Sequence, residues 1–189
     1  RTGTFLASHQ FNVEADMVVL AKALSGGLAP CSAVLMTDAV YHSVYDSLKR
    51  AIVHTSTFSE NGLSMRAGLA TLDVLESENL GSRARASGDY LRESLRRALA
   101  GFEMVSEIRG RGLLCGIEFR PPTRLRLRVL FEAFRRIHPA MFGQVLVMRL
   151  FRDMRILTPL CWNHFMVFKV APPLIWNEAP WGTFVPAVR

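Results

Sequence analysis

Lys22 carries the most chemical potential in this chain. It stands in Asp-Met-Val-Val-Leu-Ala-Lys-Ala-Leu-Ser-Gly-Gly, residues 16–27, at the end of an apolar run and just before a Gly-Gly pair. An ammonium group in that setting needs a partner, water or a reaction. A lysine in a dry site loses its proton readily, and the free amine forms a Schiff base with an aldehyde. The alternative is a lysine whose stem lies on apolar surface while its head reaches water. The residue alone does not separate these two readings. The elements around it and the rest of the chain must.

Met17 to Ala21 is a short continuous apolar run, the pattern of a strand buried on both faces in a parallel α/β sheet. The Gly26-Gly27 pair predicts a tight turn with positive φ, which keeps the backbone beside Lys22 open. Ala33 to Met36 is a second strand candidate, and Val40, Val44 and Leu48 space a helix over 38–49. A Thr- and Ser-rich stretch over 52–58 reads as extended or loop. Met65, Leu69, Leu72 and Leu75 then mark the apolar side of a long helix over 61–79, and Leu91, Leu95 and Leu99 that of a helix over 83–99. Arg92, Arg96 and Arg97 are expected on the wet side of the latter. At Leu113, Cys115, Ile117 and Phe119 the period changes to two, predicting a half-buried strand. Residues 129–153 read as helical with a break at Pro139, and 155–158 and 165–170 as further strands, the last ended by Ala171-Pro-Pro. The expected division is residues 1–78, the end of an α/β layer with a linking helix, and 79–189, a smaller α+β domain.

The 189 residues are half hydrophobic, enough for one or two domains with a sizeable core. The longest uncharged stretch, 23–37, is interrupted by Gly26, Gly27 and Pro30 and is shorter than the ~18 to 20 apolar residues of a membrane span. Arg1 leads into Thr-Gly-Thr rather than an apolar segment, so no signal peptide is expected. Cys31, Cys115 and Cys161 lie far apart without a CxxC pair, and the five His show no ligand spacing. Neither a disulfide framework nor a metal site is expected, and a reducing cytoplasm fits best. The net charge of +7 is uneven. Sixteen of the twenty arginines fall within residues 83–155 beside seven acidic residues, a local +9. Such a stretch suits nucleic acid, an anionic membrane surface or an acidic partner, or is a solvated face. No aromatic-interleaved RNA motif, Cys/His finger or recognition helix accompanies it, so nucleic acid is not an expected partner.

Four ordered patterns carry a family resemblance. They are Arg1-Thr-Gly-Thr, the segment 16–27 with Lys22, His-Thr-Ser-Thr-Phe-Ser-Glu-Asn at 54–61, and Arg-Gly-Arg-Gly-Leu-Leu-Cys-Gly-Ile-Glu at 109–118 with the later Phe-Lys-Val-Ala-Pro-Pro-Leu at 168–174. Together they resemble the class III pyridoxal-phosphate-dependent aminotransferases of the ornithine and GABA type. The resemblance implies a fold-type-I transferase: the end of the large mixed/parallel-sheet domain followed by the small C-terminal α+β domain. It implies transamination between an amine donor and a keto or aldehyde acceptor, with pyridoxal 5'-phosphate held as a Schiff base on Lys22. The freed amine then moves a proton, work that needs a pKa near neutral. Thr57 matches the threonine that reaches across a homodimer interface to the neighbour's cofactor phosphate, and Ser56 and Ser59 are lesser candidates. Read locally, the same hydroxyls could cap the following helix.

Two departures limit the resemblance. The family's phosphate loop, ring-stacking aromatic and acidic partner of the pyridine nitrogen all precede the Arg-Thr-Gly segment. Asp16 does not replace that acid, because six residues of strand put it roughly 20 Å from Lys22. The chain thus resembles the C-terminal half to two-thirds of an aminotransferase, and a truncated, inactive fragment is the competing expectation. Lys169 stands where the family usually has an arginine gripping a substrate carboxylate. A point charge there replaces a planar two-donor fork.

Overall fold

The computed structural model describes residues 1–161, 164–176 and 178–188. They form two compact units, one of Leu6–Leu80 and one of Arg1–Phe5 with Gly81–Arg189.

In the first unit, β1 (Met17–Leu20) pairs with β2 (Ala33–Met36) antiparallel, Met17 opposite Met36 and Leu20 opposite Ala33. The expected parallel, doubly buried strand is therefore corrected. A two-stranded ribbon cannot cover both faces, and Val19 is 71% exposed. Helix α1 (Asp38–Val44) is shorter than expected and is followed by a separate 3-10 turn, Leu48–Arg50. Helix α2 (Gly62–Ser77) starts at Asn61, whose side chain accepts from the Ser64 N–H at 3.1 Å. Asn61, not Thr57, is thus the cap.

The inward side of α2 is also corrected. Met65 and Leu69 are exposed, while Ser64 and Gly68 are buried. The small residues face inward because the chain after Lys22 approaches closely. A Cβ built on Gly68 would lie 3.5 Å from the Cys31 Sγ and 3.9 Å from the Leu24 carbonyl oxygen. A larger residue there would displace this turn.

In the second unit, α3 (Leu80–Leu99) packs on an antiparallel sheet of order β3-β4-β6-β5. Its strands are β3 (Val105–Arg111), β4 (Leu114–Phe119), β5 (Leu160–Cys161) and β6 (His164–Val170). Helices α4 (Leu125–Ile137), α5 (Met141–Met154) and α6 (Glu178–Val188) complete it. Leu91, Leu95 and Leu99 of α3 bury against Leu113, Cys115 and Ile117, as the spacings of four and two require. Phe168, Trp181 and Phe184 close this core. Each such side chain contributes about 1.5–3 kcal/mol on burial. Burial pushes the Cys115 thiol up to about 11, so it stays protonated and serves as packing.

Three elements of this unit depart from the sequence reading. Strand β3 and helix α6 carry no pattern that announces them. Residues 155–158 are not a strand: Arg155 turns left-handed at φ 56°, and the Ile156 N–H donates to the Leu150 carbonyl, so the segment ends α5. Arg92 is buried rather than wet. Its Nη1 donates to the Gly112 carbonyl at 2.7 Å, and its Nη2 pairs with Asp89.

Gly112 is a crossing point. The Arg1 carbonyl accepts from the Leu113 N–H at 2.9 Å, so the N-terminal strand of chain lies over the β3–β4 turn. Gly112 has φ +50°, and a Cβ on it would sit 2.4 Å from the Arg1 carbonyl oxygen. On the other side, a Cβ on Gly88 of α3 would sit 1.9 Å from the Gly112 carbonyl oxygen. Backbone on both sides leaves no room for relaxation. Gly88→Ala is therefore expected to cost roughly 1–3 kcal/mol or more. The matching Gly101→Ala, which meets open space, stays near neutral. Chemical denaturation of the two variants checks the difference.

Candidate active site

The backbone leaves β1 through an extended Ala21, turns left-handed at Lys22 with φ 58°, and runs as a 3-10 turn from Lys22 to Ser25. Gly26 and Gly27 follow with φ 68° and 85°, the positive values expected of that pair. Ser25 is fully buried and locks the turn, its hydroxyl donating to the Ala29 carbonyl. This is how the sequence projects Lys22 off the end of a strand: an apolar run, a left-handed lysine, and two glycines that return the chain.

Lys22 lines an open cleft of about 670 Å³ together with Ser32, Ser56, Ser59, Ser64 and Glu60. Ser56 and Ser59 form a pair. The Ser56 N–H donates to the Ser59 Oγ at 3.1 Å, and the two hydroxyls lie 3.0 Å apart. The structure thus brings Lys22 and Ser56 onto one cleft. Thr57 is exposed and does not line it. Lys169 belongs to the other compact unit, on β6 opposite Gly116. Its N–H donates to the Pro159 carbonyl at 3.3 Å and its carbonyl accepts from the Thr158 hydroxyl at 2.6 Å. The Ala171 and Pro172 carbonyls just after it accept from the Arg1 guanidinium at 2.6 and 2.8 Å. Ser32, Ser64 and Glu60 join the cleft without having been singled out as site residues. Nothing local marked Ser64, whose inward position follows from the close approach of the turn after Lys22.

The cleft offers an amine, several hydroxyls and the Glu60 carboxylate. An amine suits an aldehyde, and hydroxyls suit phosphate oxygens. The residues therefore fit a phosphorylated aldehyde cofactor in kind. Among the described residues no His, Cys, Asp and Glu group could hold a metal, and no helix is long and apolar enough to cross a membrane.

The chain matches the family model of the class III aminotransferases over residues 1–175. It is 32% identical to an uncharacterized aminotransferase of Schizosaccharomyces pombe, over 95% of this chain and 36% of that one. An ornithine aminotransferase from Toxoplasma gondii has a similar structure, with a TM-score of 0.79 and 30% identity, covering all of this chain and 39% of that one. An engineered thermostable omega transaminase gives a TM-score of 0.84 at 26% identity, over all of this chain and 40% of that one. The chain thus spans well under half the length of these relatives, and its fold is part of the fold-type-I pyridoxal-phosphate transaminase fold. The matched segment runs through the Lys22 cleft and as far as the turn after Lys169, and the chain belongs to the class III aminotransferase family.

Proposed function

We propose that Lys22 is the Schiff-base lysine of a pyridoxal-phosphate-dependent transamination between an amine donor and a keto or aldehyde acceptor. The observation that carries it is the position of Lys22, which projects from the end of β1 onto the same cleft as the Ser56–Ser59 hydroxyl pair. Class III aminotransferases depend on pyridoxal phosphate. When bound, that group supplies an aldehyde and an electron-accepting ring. The Lys22 Nζ supplies the nucleophile and, once released by the incoming amine, carries a proton to and from the substrate carbon. Ser56, through its hydroxyl, is the phosphate-binding residue on this chain's own side of the cleft. Lys169 attracts a substrate carboxylate as a point charge, with looser orientation than an arginine fork would impose.

Thr57 takes its role from a second copy. It is exposed and does not line the Lys22 cleft, while Phe58 beside it, which does, and Leu63 at the start of α2 are 82% and 76% exposed. We infer a homodimer in which Thr57 reaches the neighbour's cofactor phosphate and these apolar residues are covered. The chain's short span relative to its relatives favours a companion reading: this chain supplies the lysine, while turnover needs residues that the relatives carry outside the matched region.

The left-handed turn at Lys22 carries a strain of about 1–2 kcal/mol, as does the helix end at Arg155.

Three outcomes test this reading. The chain contains three lysines, Lys22, Lys49 and Lys169, beside its terminal amine, so borohydride reduction in the presence of pyridoxal phosphate followed by peptide mass mapping separates the labelled sites. Label on Lys22, lost in Lys22→Ala, is expected, with no transaminase turnover by this chain alone. Label confined to Lys49 or Lys169 defeats the assignment, and Lys22-dependent turnover defeats the companion reading. Lys22→Gly is expected to be about 1 kcal/mol more stable than Lys22→Ala in denaturant unfolding, the reverse of the cost implied by a right-handed residue. Light scattering is expected to give a dimer mass that Phe58→Asp with Leu63→Asp converts to a monomer mass.

A further inference from the structure

Helix α4 has two apolar sides, and its own fold uses only one. Phe131 is 3% exposed and packs edge-on against Phe142, with ring centroids 5.3 Å apart, which anchors the helix to α5. Away from Phe131 at helical spacing run Leu125, Val129 and Ile137, with Leu130 beside them. They are 77, 63, 70 and 54% exposed. Alternating with them are Arg126, Arg128 and Arg136, all exposed. The ion pairs of the described residues reach none of these three; on α4 they join Arg135 to Glu132, its single acidic residue. The outcome is a 13-residue helix, about 20 Å long, that shows solvent an aliphatic stripe interleaved with unneutralised guanidinium groups.

We propose that the outer side of α4 docks on an anionic lipid surface. The choice of occupant follows from the pairing of the two chemistries. A polyanion such as nucleic acid would neutralise the arginines yet gain nothing from Leu125, Val129 and Ile137. A neutral apolar partner would cover the aliphatic stripe yet strand the arginines. A bilayer surface serves both, since aliphatic side chains enter the headgroup boundary while arginine stems run along it and place their charges among lipid phosphates. A helix this rich in charge, with an aliphatic stripe beside its arginines, suits a place in the plane of the interface and not across the bilayer, consistent with the lack of any crossing helix among the described residues. The surface lies in the unit formed mainly by residues 81–189 and does not depend on the Lys22 assignment.

Sedimentation of the full chain with vesicles tests it. Binding is expected to phosphatidylcholine vesicles carrying about one-third phosphatidylglycerol, and not to phosphatidylcholine alone. Val129→Asn with Ile137→Asn, and separately Arg126→Gln with Arg136→Gln, should each weaken binding roughly tenfold. Arg97→Gln with Arg149→Gln, the same charge change on α3 and α5, should leave it within about twofold. All six positions are exposed, and far-UV circular dichroism verifies that each variant is folded. The proposal is overturned by absence of binding to anionic vesicles, by binding indifferent to the Val129/Ile137 pair, or by tighter binding to an acidic polypeptide or duplex DNA than to the vesicles.

Discussion

The carbonyl of Gly112 is the constraint on which the larger unit depends. It takes a hydrogen bond from the buried Arg92, it is where α3 comes closest to the sheet through Gly88, and its residue is crossed by the backbone of Arg1 and Thr2. A buried carbonyl without a donor is costly, so Arg92 and Gly112 are tied together. Arg1 extends the same assembly to the far strand, since its guanidinium holds the carbonyls of the turn that follows Lys169. One end of the chain, a helix, a tight turn and the end of β6 are thereby fixed relative to each other. The position of Lys169 in this unit is a consequence of that crossing rather than of its own side chain.

The sequence was most legible where pattern and chemistry coincided. The alternation Leu113, Cys115, Ile117 and the four-residue spacing of Leu91, Leu95 and Leu99 name the core correctly, because a strand and a helix share one filling. Gly26 and Gly27 announce their turn because only glycine takes those φ values without cost. The reading failed where tertiary contacts override local pattern. Arg92 sits in a run of arginines that reads as solvated, and nothing local reveals that one of them faces a carbonyl twenty positions away. Met65 and Leu69 read as the buried side of α2, yet the close approach of the turn after Lys22 selects Ser64 and Gly68 instead. Strand β3, Val-Ser-Glu-Ile-Arg-Gly-Arg, is too polar to signal itself and exists because β4 pairs with it.

The candidate site was legible in its chemistry and only partly in its assembly. Lys22 could be singled out from its residue type and neighbours. Its left-handed backbone could not, since lysine gives no hint of it. The pairing of Ser56 with Ser59 was implicit in a three-residue spacing within a loop. That Thr57 would leave the cleft its neighbour enters was not implicit in anything local, because adjacent residues of a turn diverge in direction.

The arginines of residues 83–155 divide by environment, not by position in sequence. Arg92 is dry and structural, while Arg96, Arg97, Arg109 and Arg149 are wet and paired with nearby carboxylates. Surface pairs of the latter kind contribute little to stability, about 0–1 kcal/mol each. Neither group explains why α4 concentrates arginine beside exposed leucine, valine and isoleucine. A solvated face would be served by charge alone, and a core-facing helix by apolar residues alone. Alternation of the two on one exposed side suits a boundary where water meets a less polar phase, and it is a part of the local charge excess that the ion pairs of the described residues leave unused.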